Sequence, residues 1–237
     1  MYRETPMINF CWRLFLTRLR VIEGGRFDAD NNSPEHLNLQ LSITQSKYNL
    51  EAIKKHCRFQ SGYAFQSIDY VESSACVLIT IKNISANTIN LSNTTFLPNE
   101  YFDKYQSFQI IEGDLIIAMT GATIGKVGIF EAEKKALLNQ RNGIIRCNTV
   151  NTQYLMNLLN TKVYQQIILR NSVGGAQPNI SEKDIIKIKI PVPPIEIQTE
   201  IANQIQSIRN RAKTLQQEAT AILQQAKLQV EQMILGE

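Results

Sequence analysis

Between residues 57 and 147 the hydrophobic positions fall into short runs separated by Gly, Asn, Asp and Ser. The runs are Cys76-Val77-Leu78-Ile79-Thr80-Ile81, Gln109-Ile110-Ile111, Asp114-Leu115-Ile116-Ile117-Ala118-Met119, Val127-Gly128-Ile129-Phe130 and Gly143-Ile144-Ile145-Arg146-Cys147. Apolar runs of this length, rich in β-branched residues and bounded by turn formers, predict strands, and with them a β-rich core carrying polar loops. The polar stretch 131–135, set between Ile129-Phe130 and Ala136-Leu137-Leu138, predicts a hairpin tip. The period then changes. Over 154–169, Leu155, Leu158, Leu159, Val163, Ile167 and Ile168 recur at helical spacing and predict an amphipathic helix packed on the core. After a Gly-Gly loop at 172–179, the segment 185–190 ends in the alternation of a half-buried strand. Pro191, Pro193 and Pro194 stop it, since proline donates no ladder hydrogen bond and restricts the residue before it.

Residues 195–235 contain neither Gly nor Pro and are dominated by Gln, Glu, Lys and Ala. This predicts one helix of roughly 40 residues, about 60 Å long at 1.5 Å per residue. Ile201, Ile205, Ile208, Ala212, Leu215, Ala219, Ile222 and Ala226 follow alternating spacings of four and three, which is a coiled-coil seam. Ala212, Ala219 and Ala226 recur at every seventh position and permit close approach of another helix. The stripe is too long for a domain of this size to cover by folding back, so it calls for a partner, in another copy or in another protein. The chain thus divides into a leader (1–50), a body (51–194) and a long helix (195–237). The expected fold class is α/β with an α+β character: a β-rich domain with packed helices, followed by one long C-terminal coiled-coil helix.

Composition narrows the picture only a little. With 237 residues and 43% hydrophobic content, the chain can bury one good core and carry an appendage. No stretch of about 18 uninterrupted apolar residues occurs, and Arg13, Arg18 and Arg20 interrupt 10–21, so a membrane span is not expected and a cytoplasmic location is. Cys11, Cys57, Cys76 and Cys147 lie far apart in the chain without CxxC or Cys/His spacing, which reads as reduced thiols rather than a disulfide framework or a zinc site. The formal charge of +4 suits a polyanionic partner but is short of a nonspecific DNA binder's.

The candidate chemistry is mostly negative. Gly121-Ala122-Thr123-Ile124-Gly125-Lys126 has the look of a phosphate loop, but the spacing is one residue short and Val127 stands where a magnesium-binding hydroxyl belongs. A glycine-assisted turn between two strands explains it; the same turn can also present Thr120, Thr123 and Lys126 to a DNA backbone. Asp114 with Glu133-Lys134-Lys135 imitates the spaced acid and Glu-x-Lys of a metal-dependent nuclease, yet a solvated turn accounts for the latter. No Asn/Asp-Pro-Pro-aromatic element and no glycine-rich cofactor loop after a first strand is present, and neither His36 nor His56 has a nucleophile pattern. No catalytic or metal-ligating residue is therefore expected. Asn139-Gln140-Arg141-Asn142 places amide and guanidinium groups where a strand begins, chemistry suited to base edges, though a hydrogen-bonded turn uses the same residues. Tyr63, Phe65, Tyr70, Tyr101, Phe102 and Tyr105, scattered among polar residues, either stack on a nucleic acid or belong to the core.

Three segments in order, 113–126, Leu138-Asn139-Gln140-Arg141 and Gly174-Gly175-Ala176-Gln177-Pro178-Asn179-Ile180, followed by Ile190-Pro191-Val192-Pro193-Pro194-Ile195-Glu196-Ile197-Gln198 opening a long helix, resemble the specificity subunit of type I restriction-modification enzymes. The likeness runs from about residue 52 to the C-terminus. It implies a target-recognition domain that reads one half-site of double-stranded DNA, and a helix that spaces half-sites and docks methyltransferase subunits, with the restriction subunit joined indirectly. Family members usually carry two such units in tandem, whereas this chain has one, which fits a half-subunit that dimerises through its helix or a truncated product. The resemblance further implies no cofactor on this chain: S-adenosylmethionine, Mg and ATP belong to partner subunits. Lys82, Lys126 and Arg141 are then candidates for phosphates, and Asn139, Gln140 and Gln177 for base edges. A stand-alone DNA-modifying enzyme and a coiled-coil oligomerisation protein without a DNA role remain the competing readings.

Overall fold

The computed structural model describes residues 43–173 and 178–236. Most of the leader, and Gln177 with the rest of 174–177, lie outside the described residues.

The predicted strands form two stacked sheets. One has the order β6 (Thr95–Leu97), β3 (Cys76–Ile79), β10 (Lys135–Leu138), β7 (Gln109–Ile110). The other runs β2 (Cys57–Ser61), β11 (Asn142–Cys147), β8 (Leu115–Ala118), β9 (Val127–Ile129), β5 (Asn87–Ile89), β4 (Ile84–Ser85). Both sheets are mixed: β3 and β10 are parallel, as are β5 and β9, and the other pairs are antiparallel. A small third sheet pairs β1 (Leu50–Ala52) with β12 (Lys189–Pro191).

The near-continuous apolar runs follow from this layering, because each central strand is covered on both faces. In β8, Leu115 and Ile117 face a helical layer, while Ile116 and Ala118 face the other sheet, where they meet Val77, Ile79, Ala136 and Leu138. The outer face of the smaller sheet, Cys76, Leu78, Leu97 and Leu137, packs against Phe65 and a set of half-buried aromatics, Tyr101, Phe102, Tyr105 and Phe108. Full burial of one such aliphatic side chain contributes about 1.5–3 kcal/mol, so the doubly covered strands carry much of the fold.

Three local expectations are corrected. The segment 131–134 is no hairpin tip, for β9 and β10 belong to different sheets; Phe130, buried in the inter-sheet layer, draws the chain across. The helix expected over 154–169 is two, α2 (Thr152–Leu159) and α3 (Lys162–Arg170), after the short α1 (Glu100–Lys104). The break is made by side chains that prefer other partners: Asn160 accepts from the Val127 amide at 3.2 Å and donates to its carbonyl at 2.8 Å, and Thr161 caps the next helix. In 185–190, Ile185 ends a short helix, α4 (Glu182–Ile185), capped by Ser181, and only the last residues enter a strand.

The long helix is α5 (Ile195–Leu235), 41 residues. Its first turns are seated on the body: Gln198 and Ala202 are buried, and the Gln198 amide accepts from the Asn151 backbone at 2.9 Å and donates to the Pro193 carbonyl at 2.8 Å. Ile201 and Ile205 are half-buried, and from residue 210 to 235 every position is exposed, Ala212, Leu215, Ala219, Ile222 and Ala226 included. No described helix is long and apolar enough to cross a membrane.

Candidate nucleic-acid interface

Parallel pairing of β3 with β10, Ile79 opposite Leu138, brings the C-terminal ends of these strands to one edge of the body. In the other sheet β8 ends at the same edge, because it runs antiparallel to β11, which follows the turn after β10, and Ala118 lies opposite Asn142. Three turns therefore meet there, after β3, after β8 and after β10. The Ile79 carbonyl ties two of them, accepting from the Asn139 amide at 3.0 Å and from the Asn142 side chain at 3.2 Å. The third is joined by the Met119 amide, which donates to the Arg141 carbonyl at 2.9 Å.

Each turn is held by its own polar residues. Asn83 is buried and accepts from the Thr80 amide at 2.9 Å and hydroxyl at 3.0 Å, which fixes the 3-10 turn Ile81–Asn83 and leaves Lys82 exposed. After β10, Tyr63 and Gln140 exchange backbone bonds with the turn: the Tyr63 amide donates to Leu138 and Gln140 donates to Tyr63, both at 2.9 Å. Gln140 and Arg141 point out into solvent, whereas Asn139 and Asn142 are buried. Asn142 is wholly enclosed, so its amide serves the turn and the expectation of a base contact gives way at that residue. Asn139 likewise turns inward, its carbonyl oxygen facing the Arg141 amide at 3.4 Å.

The glycine segment is the turn between β8 and β9, with a 3-10 turn over Gly121–Thr123. Gly121 and Gly125 both sit at positive φ, 72° and 80°, and a Cβ on Gly125 would come within 2.9 Å of Ile168 in α3, which explains the glycines without any phosphate. The Thr120 and Thr123 hydroxyls are closed off from solvent and have no hydrogen-bond partner, so in this arrangement they are not offered to a DNA backbone as expected. Lys126 is half-buried one step further on. The strand edge thus brings together Lys82, Gln140 and Arg141 as exposed groups, with Lys126 beside them.

Two more residues shape this edge: Gly62, which the chain's patterning did not single out, and Tyr63, one of the six aromatics it named. A Cβ on Gly62 would lie 2.2 Å from the Asn139 carbonyl oxygen, so glycine is what lets β2 run so close to the turn. Tyr63 is partly exposed and stacks edge-on with Phe65 at 5.0 Å between ring centres, and against Tyr105 at 4.8 Å. Of the aromatics in the polar stretches, Phe65 is core, Tyr101, Phe102 and Tyr105 line it, and Tyr63 and Tyr70 reach the surface.

The imitation of a nuclease site dissolves. Asp114 is buried and receives Arg146 through two nitrogens, Nε at 2.8 Å and Nη2 at 2.9 Å, with the Ile111 amide at 2.9 Å. The bonded carboxylate raises the guanidinium above its ordinary value. Glu133 and Lys135 are exposed and belong to the other sheet's approach, not to Asp114. Cys57 and Cys147, distant in sequence, face each other across β2 and β11 with sulfurs 3.6 Å apart.

Residues 79–224 match the family model described as the type I restriction modification DNA specificity domain. The chain is similar to the type I restriction enzyme MjaVIII specificity subunit of Methanocaldococcus jannaschii, 29% identical over 189 residues that cover 77% of this chain and 44% of the relative. A second relative from that organism, the putative MjaX specificity subunit, is 26% identical over 155 residues, 62% of this chain and 36% of its own. The chain therefore spans less than half the length of these curated relatives. Among solved structures, one described as showing complex assembly and conformational transition of the type I R-M system aligns over 96% of this chain and 57% of its own, with a TM-score of 0.59 and 16% identity. The S subunit of a type I restriction-modification system from M. genitalium aligns over 72% and 41%, with a TM-score of 0.51 and 15% identity. At such identities the likeness is one of fold, and it places the mixed α/β body and long helix together in the same architecture.

Proposed function

Because the chain belongs to the type I restriction modification DNA specificity domain family, matched over residues 79–224, we propose that it reads DNA sequence through the edge where β3, β8 and β10 end, and directs partner methyltransferase and restriction subunits to that sequence. In this reading the body, 51–194, takes one half-site, and α5 carries it to a fixed distance from a second body. An antiparallel pairing of two copies of α5 through Ile208, Leu215 and Ile222 gives an inverted, bipartite target. Methyl transfer from S-adenosylmethionine and ATP-driven cleavage belong to partner subunits, and this chain supplies no catalytic group.

The observation that carries the proposal is the clustering of Lys82, Gln140 and Arg141 as exposed groups on one edge whose own turns are tied by backbone and buried amides. Lys82 and Arg141 supply the sequence-independent attraction to phosphates, and Gln140, whose amide donates and accepts, is the group suited to a base edge.

The first test is co-purification with a type I methyltransferase subunit from the same genome, with genome methylation mapped in cells with and without the chain. A bipartite motif methylated only in its presence establishes the reading, and its DNA then serves for binding. Against that DNA, Lys82→Ala and Arg141→Ala are each expected to flatten the dependence of log affinity on log salt by about one. Gln140→Ala is expected to weaken the true site and spare nonspecific DNA. The exposed helix stripe also fits a protein that only oligomerises; that reading requires DNA binding to be absent, or at least insensitive to salt and to these substitutions.

A further inference from the structure

The long helix touches the body at a second place, beyond the seat at Gln198 and Ala202. Arg209, nearly two turns further along, donates from Nη2 to the Asn87 side-chain oxygen at 2.7 Å. The same oxygen accepts from the Asn160 side chain at 3.1 Å, and Asn160 is anchored to both backbone groups of Val127 in β9. Asn87, which opens β5, has a left-handed backbone, φ 74°, a conformation asparagine tolerates better than most side chains. One amide oxygen thus gathers the helix, the break between α2 and α3, and a strand of the larger sheet. From residue 210 onward the helix is exposed on every side.

Two contacts on a rigid rod define a direction more closely than one. The seat over the first turns, where Gln198 and Ala202 are buried and Ile201 and Ile205 half-buried, holds the near end of the rod, joined by the approach of the Asn151 side chain to Thr199 at 3.5 Å. We infer that Arg209 and Asn87 form a latch that sets the angle between the recognition body and its helix, and through that angle the separation of half-sites; the second clause rests on the function proposed above, the first does not. Small angular freedom at the latch grows into a large displacement at the far end, because roughly 26 residues at 1.5 Å each extend beyond it, about 39 Å. The pairing of a guanidinium with a neutral amide, rather than a carboxylate, makes the latch directional without burying a second charge.

The test is a distance distribution measured by electron spin resonance on the full chain. Non-natural spin-labelled residues are placed at the exposed positions Glu133 and Gln224, and the labelled chain is diluted into unlabelled chain so that only intramolecular distances are read. The parent is expected to give one narrow distribution. Arg209→Ala is expected to broaden it at least twofold with the melting midpoint of the body unchanged. Asn87→Gly, which keeps the left-handed backbone but also removes the acceptor of the Asn160 side chain, is expected to broaden it as much, with a small fall in that midpoint and a transition that stays cooperative. Combining them is expected to add nothing further. Asn87→Asp keeps an acceptor at the same place and is expected to remain narrow. Parent-like widths in both disabling variants overturn the latch, as does broadening that comes only with loss of the body's cooperative melt. No DNA is involved, so a chain that fails to bind DNA sinks the proposed function and leaves this result untouched.

Discussion

Leu115 in β8 and Leu215 in α5 are the same side chain in opposite circumstances. The first has no exposure at all, and the second is 55% exposed. Around Leu115 several enclosed polar groups find partners within the body: Asp114 holds Arg146, Asn83 holds Thr80, and the Asn142 side-chain nitrogen donates to the Ile79 carbonyl. Around Leu215 the helix continues with Ile208, Ile222 and Leu223, all exposed by more than half. The body closes its own core and answers most of its enclosed polar groups, with exceptions such as the Thr120 and Thr123 hydroxyls, so its stability is internal. The outer helix leaves a repeating apolar stripe in water, a feature whose stabilisation requires a second surface. Substitutions in the two regions are therefore expected to appear in different measurements.

The largest effect on stability is expected from Arg146→Ala. It leaves the Asp114 carboxylate buried with only a backbone amide for company, and a broken buried pair costs about 3–5 kcal/mol, with the lower end expected here because the guanidinium is itself partly wet. Equilibrium urea unfolding measures it, and a loss below about 1 kcal/mol shows that water reaches Asp114 in the parent. Next comes Gly62→Ala. The added methyl must displace the Asn139 and Leu138 carbonyls, 2.2 and 2.6 Å away, so a loss of about 2 kcal/mol is expected. Because that strain falls on the Asn139–Asn142 turn, DNA affinity is expected to drop with it. Gly113→Ala is the control. Its Cβ would meet nothing within 4 Å, but its φ is 87°, so a loss of about 1 kcal/mol from the backbone alone is expected, with DNA binding unchanged.

How much of this was legible from the chain depends on whether a residue's partner is near it in sequence. The apolar runs that became β3, β8 and β11 were readable because composition and length within each run suffice. The long helix was readable for the same reason, its pattern being repeated over 41 residues. The path from β9 to β10 was not, since the pairing of β10 with β3 links residues 59 apart, Lys135 with Cys76, and nothing local announces it. The helix break at Asn160 depends on Val127, 33 residues earlier. At the candidate site, Asn139-Gln140-Arg141-Asn142 was correctly a polar turn at a strand's start, but the chemistry of an asparagine is the same whether it closes a turn or faces a base. Only the direction of the side chain separates Gln140 from Asn142, and that direction is set by the Ile79 carbonyl on a strand 63 residues away.

The smallest expected effect on the body is also the sharpest test of the comparison. Leu215→Glu combined with Ile222→Glu places two carboxylates on the exposed stripe, at positions with no contact to the body. An internally stabilised body predicts a change in its unfolding free energy within about 0.5 kcal/mol, the range of surface substitutions away from special features. The same pair of changes puts like charges into any seam formed by this face, and each coiled-coil knob lost removes burial worth about 1.5–3 kcal/mol. Self-association of the parent, measured by sedimentation, is therefore expected to disappear in the variant while the body melts as before. A parent that is monomeric at all accessible concentrations removes the second copy as the occupant and leaves the stripe to a different partner. A variant whose body loses several kcal/mol breaks the comparison itself, because the outer helix would then be part of the fold it was taken to extend from.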